Sequence, residues 1–171
     1  MNHTLNGQTV LEGTNLRLRP LRASDAEALM TTSNDPRTQQ WTTIPSDYTL
    51  EMAHDWISNA TLVWALADPI TDAYLGSIDL RPAEHQMASV GYVTAPWARG
   101  RGLQTQALQM LMDYAFANGI HRIEVCVALD NAASRHVAEV AGCTFEGVRR
   151  AGQYCRGQWS DLAVYSRLST D

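Results

Sequence analysis

The chain patterning predicts an α/β fold with a mixed central sheet of about seven strands flanked by helices. Short alternating or β-branched runs recur along the chain, and stripes at helical spacing separate them. Their order reads β-α-α-β-β-β-α-β-α-β-β, which combines hairpins with helical crossovers and therefore mixes strand directions. The composition agrees: of 171 residues, 45% are hydrophobic and 18% charged, globular values with enough chain for one core.

The elements follow in order. Residues 1–13 are polar and mixed, and read as a loose lead-in to a single domain over 12–171. Leu16-Arg17-Leu18-Arg19 alternates apolar and basic until Pro20, a short strand. Ser24 stands three residues before Glu27 as in a capping box, ahead of a helix with Ala26, Leu29 and Met30 on one face; Asn34-Asp35-Pro36 ends it. A second helix starts near Thr49, carrying Met52, Ala53, Trp56 and Ile57. Strands over 62–67 and 73–80 flank a turn at 68–72 that contains Pro69. A polar turn over 81–86 leads to a strand over 87–94, closed by Pro96.

A long helix follows, with Leu103, Ala107, Leu108, Leu111, Met112 and Ala115 as one stripe and Asn118-Gly119 as its stop. Ile123, Val125 and Val127 alternate in a strand over 122–128. Asn131 caps a short helix that ends at Gly142. Strands over 143–149 and 161–167 complete the order.

The net charge of −5 disfavours non-specific nucleic-acid binding. Cys126, Cys143 and Cys155 form no CxxC and no disulfide framework, which suits a reduced, cytoplasmic chain. No apolar run reaches the ~20 residues of a membrane span. No His/Cys set suggests a metal: His136 lies far around its helix from Asn131, His85 sits in a turn beside Glu84, and Cys126 reads as a core thiol.

The strongest motif is the turn before the long helix, Arg99-Gly100-Arg101-Gly102-Leu103-Gln104-Thr105. Helix-start amides lack intrahelical partners, the helix dipole favours anions, and glycines let a phosphate approach. Arg99 and Arg101 add charge and Thr105 a hydroxyl. The turn is neither a P-loop nor GxGxxG.

This turn resembles the (Arg or Gln)-x-x-Gly-x-(Gly or Ala) signature of the GNAT superfamily of N-acetyltransferases, with Gln104 in place of a small last residue. Further motifs are similar to its Rim branch, which includes acetyltransferases of ribosomal-protein N-termini. They are the opening Leu16-Arg17-Leu18-Arg19-Pro20-Leu21, then Val90-Gly91-Tyr92-Val93, then Asn131-Ala132-Ala133-Ser134 leading to Ala141-Gly142-Cys143, and finally Tyr154-x-x-Gly157-x-Trp159-x-Asp161.

The resemblance implies the GNAT fold with splayed central strands, acetyl-CoA as co-substrate, and direct attack by a primary amine, either a protein N-terminus or a small molecule. It implies that amides of Arg99, Gly100, Arg101, Gly102, Leu103, Gln104 and Thr105 hold the pyrophosphate, and that Tyr92, Val93 and Thr94 lie along pantetheine, with an amide near Val93 polarising the carbonyl. Asn131 would contact the pantetheine arm and Ser134 would protonate the leaving thiolate; as residues alone, Asn131 reads equally as a helix N-cap and Ser134 as a surface hydroxyl. A Tyr acid common elsewhere in the family is replaced by Ala138.

The general base is the departure. Gln153 occupies the place of a Rim-type glutamate and Ser89 that of another common carboxylate, and an amide cannot accept the proton. Asp79, Glu84, His85, Tyr154 or a water chain remain as candidates, and Trp41, Tyr48 and Asp79 are expected at the acceptor side. These departures motivate a second reading, a CoA-binding sensor or a catalytically degenerate member. The expected partners are therefore acetyl-CoA and an amine, with no metal, nucleic acid or membrane, and with a homodimer left open.

Overall fold

The computed structural model describes residues 4–171. The first three residues of the expected lead-in lie outside them. The strands are β1 (Leu11–Glu12), β2 (Arg17–Pro20), β3 (Val63–Ala67), β4 (Tyr74–Ala83), β5 (Met87–Thr94), β6 (Arg122–Ala128), β7 (Thr144–Cys155) and β8 (Gln158–Leu168). The α-helices are α1 (Ala26–Asn34), α2 (Pro36–Trp41), α3 (Leu50–Asn59), α4 (Leu103–Ala117) and α5 (Ala132–Val140). The strands form an 8-stranded mixed sheet in the order β1-β2-β3-β4-β5-β6-β8-β7. The architecture is the expected α/β one, with eight strands where the pattern showed about seven. The extra strand is β1, two residues paired to β2 and too short to leave a periodic signal.

The chain divides into two compact units, one of residues 80–91 and 108–171 and the other of residues 5–79 and 92–107. In the second, β2 pairs antiparallel with β3 and β3 with β4. Leu16, Leu18, Trp64 and Leu66 are fully buried there. The lead-in is better anchored than its polar composition predicts: Gly7 is buried, and the Trp64 indole donates to the Thr9 carbonyl at 2.8 Å. Gly76 has φ of +151°, and a Cβ on it would lie 2.4 Å from the Val93 carbonyl oxygen, so β4 can approach residue 93 this closely only as glycine.

Local chemistry explains the helix ends. α3 starts beside Thr49 as expected, and Thr49 caps it, its hydroxyl accepting from the Met52 amide at 3.2 Å. Ser24 does not cap α1. It sits in a 3-10 turn (Ala23–Asp25), where the Asp25 carboxylate accepts from the Arg22 amide. Asp25 is also locked by the buried Arg19 at 2.8 Å, an ion pair that outcompetes a capping serine. Asn34-Asp35-Pro36 ends α1 but also begins α2: Asp35 accepts from the Thr38 amide and Pro36 occupies the first turn, where its missing N–H costs nothing.

In the first unit, β5 runs parallel to β6, β6 antiparallel to β8 and β8 antiparallel to β7. The β5–β6 register runs from Met87↔Arg122 to Val90↔Val125 and stops there, although β5 continues to residue 94 and β6 to residue 128. Early termination of this ladder is what splayed central strands require. β7 and β8 are longer than expected and form one hairpin closed by Cys155↔Gln158, with Arg156 and Gly157 at φ of 50° and 77°. Most of β7 is exposed, so it lacks the inside-outside alternation that marks a strand.

Candidate active site

The glycine turn lies where the sequence places it, directly before α4. Gly100 and Gly102 have φ of +74° and +69°, left-handed values that bend the backbone into the helix start. No atom lies within 4 Å of a Cβ built on either residue, so the turn is open on that side. The first bond of α4 runs from the Gln106 amide to the Gly102 carbonyl at 3.2 Å, so the amides of Leu103, Gln104 and Thr105 precede any intrahelical acceptor. These donors, with the dipole of α4 behind them, make an anion-binding helix start.

The two arginines of the turn differ. Arg101 is exposed, and its charge helps hold Asp68 below the usual carboxylate range, after the amides of Thr71 and Ile70. The charge of Arg99 is not available to the turn as expected. Its guanidinium donates to the Asp35 carboxylate and, at 3.2 Å, to the Thr38 hydroxyl. Arg99 in turn holds the Asp35 carboxyl below its ordinary range, aided by the Thr38 amide and opposed by burial. The cap of α2 and the glycine turn are thereby tied together.

Gln104, at the family's small position, is accommodated by burial. Its Oε1 accepts from the Thr94 hydroxyl at 3.1 Å, while its Nε2 has no partner among the described residues. The expected pantetheine strand, Tyr92, Val93 and Thr94, forms the end of β5 at intermediate exposure.

On the acceptor side, Trp41 is the last residue of α2, the helix that the sequence pattern did not show between Pro36 and Thr49. Tyr48 is half-buried between α2 and α3. Its backbone is pinned by both ends of the Asn34 side chain, at 2.9 and 2.7 Å. Burial pushes its phenol pKa up. Asp79 lies in β4, paired in register with Val63.

In the first unit, Asn131 caps α5: its Oδ1 accepts from the Ser134 amide at 3.1 Å. The cap uses one atom of the carboxamide and leaves the Nδ2 donors for another role. Ser134 is in the first turn of α5, at intermediate exposure, and Ala138 one turn on is fully buried. Gln153 pairs with Ser160 and Tyr154 with Trp159 near the hairpin end. The rings of Tyr154 and Trp159 lie 4.8 Å apart at a 50° tilt, and both are more than half exposed. Asp161 accepts from the Ala151 amide at 2.8 Å, which braces the irregular register between Arg149 and Gln153. Asp161 and the Tyr154–Trp159 pair thus brace the hairpin.

Sequence reasoning missed a charged cluster on one face of β6, β8 and β7. Glu124 Oε1 accepts from Arg149 at 3.1 Å and from the Cys126 thiol at 3.2 Å. Arg122 donates to Glu146 at 2.6 and 2.8 Å and more weakly to Glu124 Oε2 at 3.4 Å. Burial opposes ionisation of Glu124, but Cys126, Arg149 and Arg122 outweigh it and lower its pKa. Glu146 is lowered to about 2 by Arg122 and Ser166. Burial, then Glu124, pushes the Cys126 thiol up to about 11. Alternation along β6 carried the signal, since Glu124 and Cys126 point opposite to Ile123, Val125 and Val127.

A helix-start anion site after an open glycine turn, on a mixed sheet whose β5–β6 ladder ends early, defines a GNAT-type acyltransferase. The Acetyltransferase (GNAT) domain family matches residues 15–144, and the chain belongs to that family. It is 29% identical over 178 residues to "Probable N-acetyltransferase YjcK" of Bacillus subtilis, covering 95% of this chain and 98% of that one. It is 28% identical over 100 residues to the ribosomal-protein-serine acetyltransferase of Escherichia coli, covering 57% of this chain and 56% of that one. A solved structure of Mycobacterium smegmatis RimJ in complex with CoA-disulfide superposes with a TM-score of 0.84 at 19% identity, covering 98% of this chain and 91% of that one.

Proposed function

We propose that the protein transfers the acetyl group of acetyl-CoA to a primary amine by direct attack, acting in the cytoplasm. The carrying observation is the open Gly100–Gly102 turn with the amides of Leu103, Gln104 and Thr105 ahead of the first intrahelical bond of α4. In this reading those amides bind the CoA pyrophosphate, with Arg99, Gly100 and Arg101 shaping the turn.

Tyr92, Val93 and Thr94 present backbone to pantetheine, and the Val93 amide polarises the thioester carbonyl. Asn131 combines its cap with a contact to the pantetheine arm. Ser134 delivers a proton to the departing thiolate. Trp41, Tyr48 and Asp79 serve the acceptor, and Gln153 and Tyr154 orient it without taking its proton. As the polypeptide is a member of a family with ribosomal-protein acetyltransferases among its relatives, a peptide N-terminus is the first acceptor to try.

The test is thiol release from acetyl-CoA against peptides with free N-terminal serine or alanine, polyamines and aminoglycosides, with Ser134→Ala as a variant. Turnover with at least one class is expected, with kcat reduced about tenfold in S134A. The Gln153 and Ser89 departures support a second reading, CoA binding without turnover. It predicts a CoA-dependent rise in Tm and no thiol release from any acceptor. A homodimer belongs to the proposal as well; sedimentation at micromolar concentration tests it.

A further inference from the structure

We propose that Glu124 is the proton acceptor for the attacking amine; the inference rests on the transferase reading above. An ammonium group cannot attack a thioester until it loses a proton, so the reaction needs an acceptor within reach, directly or through water. Gln153 and Ser89 cannot be that group.

Strand register identifies what stands beside Ser89. Ser89 pairs with Glu124 across the parallel β5–β6 ladder, so the two side chains share a face. Glu124 pairs in turn with Ser166 on β8. Gln153 pairs with Ser160 on that same face, but six residues along β8 from Ser166 and so about 20 Å away, which leaves Ser89 as the vacant base position beside Glu124. Glu124 also immediately precedes Val125, the last β6 residue in the ladder with β5, so it stands at the vertex where the two strands part.

Its surroundings hold it ionised, so it stands ready as an acceptor although its neighbours lower its basicity. The charged and titratable groups facing it are Arg122 and Cys126 of β6 and Arg149 and Glu146 of β7, with Ser89 of β5 and Ser166 of β8 as neutral neighbours. Glu146 is occupied by Arg122 and by the Ser166 hydroxyl at 2.6 Å, which leaves Glu124 as the usable carboxylate. Arg149 is half exposed and can swing aside. Glu124 Oε2 is held only loosely, by Arg122 at 3.4 Å, and that oxygen takes the proton.

In the step itself, a proton passes from the ammonium to Glu124 Oε2, directly or through one water, and from there to solvent. The freed nitrogen lone pair forms the N–C bond to the thioester carbonyl carbon. As the C–S bond breaks, its electron pair stays on sulfur, the acylated nitrogen gives up its second proton to solvent, and the thiolate takes a proton from Ser134, which solvent restores.

The test uses the full chain, acetyl-CoA and whichever panel amine the wild type acetylates, with kcat followed from pH 6 to 9. Glu124→Gln is expected to lower kcat about 100-fold at pH 7 and to make the rate climb about tenfold per pH unit, because only amine already deprotonated then reacts. CoA should still raise the Tm of the variant. Glu124→Asp, which withdraws the charge by one methylene, should lose about tenfold and also serves if E124Q does not fold. Glu146→Gln breaks the same network and should stay within about threefold of wild type. Retained kcat in E124Q, an equal loss at every pH, or an equal loss in E146Q overturns the assignment. A wild type that binds CoA but acetylates no amine overturns the transferase reading itself, and the assignment with it.

Discussion

Asp35 carries two duties at once, and its replacement separates them. It caps α2 through the Thr38 amide at 3.0 Å and neutralises Arg99 of the glycine turn. Loss of an Asp cap costs about 1 kcal/mol. Arg99 is one-quarter exposed, so leaving it without its carboxylate costs about 1–2 kcal/mol more. Asp35→Ala should therefore destabilise by about 2–3 kcal/mol, a fall in Tm of roughly 4–12 °C for a chain of this size.

Asp35→Asn retains a good cap and removes only the charge, so about 1–2 kcal/mol should be lost. The folded pKa of Asp35 is depressed. Its contribution is then fully present above the unfolded value near 4 and is lost as pH falls through the folded value. Urea titrations should accordingly show the gap between wild type and D35N closing in acid. A double-mutant cycle with Arg99→Ala should give a coupling of about 1 kcal/mol at pH 7. Zero coupling, or a D35N penalty that persists unchanged at pH 2, would refute the reasoning.

Three other outcomes follow. Gly102→Ala meets no atom within 4 Å but holds a φ of +69°, so it should cost about 1–2 kcal/mol in stability and raise KM for acetyl-CoA well before it affects kcat, as steady-state kinetics would show. Gly76→Ala places a Cβ 2.4 Å from the Val93 carbonyl oxygen and should cost about 3 kcal/mol or more, read by chemical denaturation. Cys126, with its pKa pushed up to about 11, should react with iodoacetamide about 100-fold more slowly than a free thiol at pH 8, with the rate rising toward pH 11 by mass spectrometry.

Much of the fold was legible because it is encoded between near neighbours. Thr49 and Asn131 cap the helices that follow them, each bonding an amide three residues on. The strand over 87–94 has the bounds its pattern indicates, and so does that over 122–128. Pro36 misled because proline after a helix reads as a stop, whereas Asp35-Pro36 is also a good helix start; only the chain beyond chooses. The outer hairpin was underestimated because β7 is exposed along most of its length, and exposure erases the alternation by which strands are read.

The sequence by itself determined the glycine turn, the helix start behind it and the Asn131 cap, since a left-handed glycine or an Asn cap needs only its immediate neighbours. Tertiary structure alone decided where the charges went. Arg99 meets a carboxylate 64 residues away, and Glu124 meets an arginine 25 residues away. Those encounters follow from helix packing and strand register, which no local pattern specifies. The same register set Glu124 beside Ser89, where the sequence showed only a missing base.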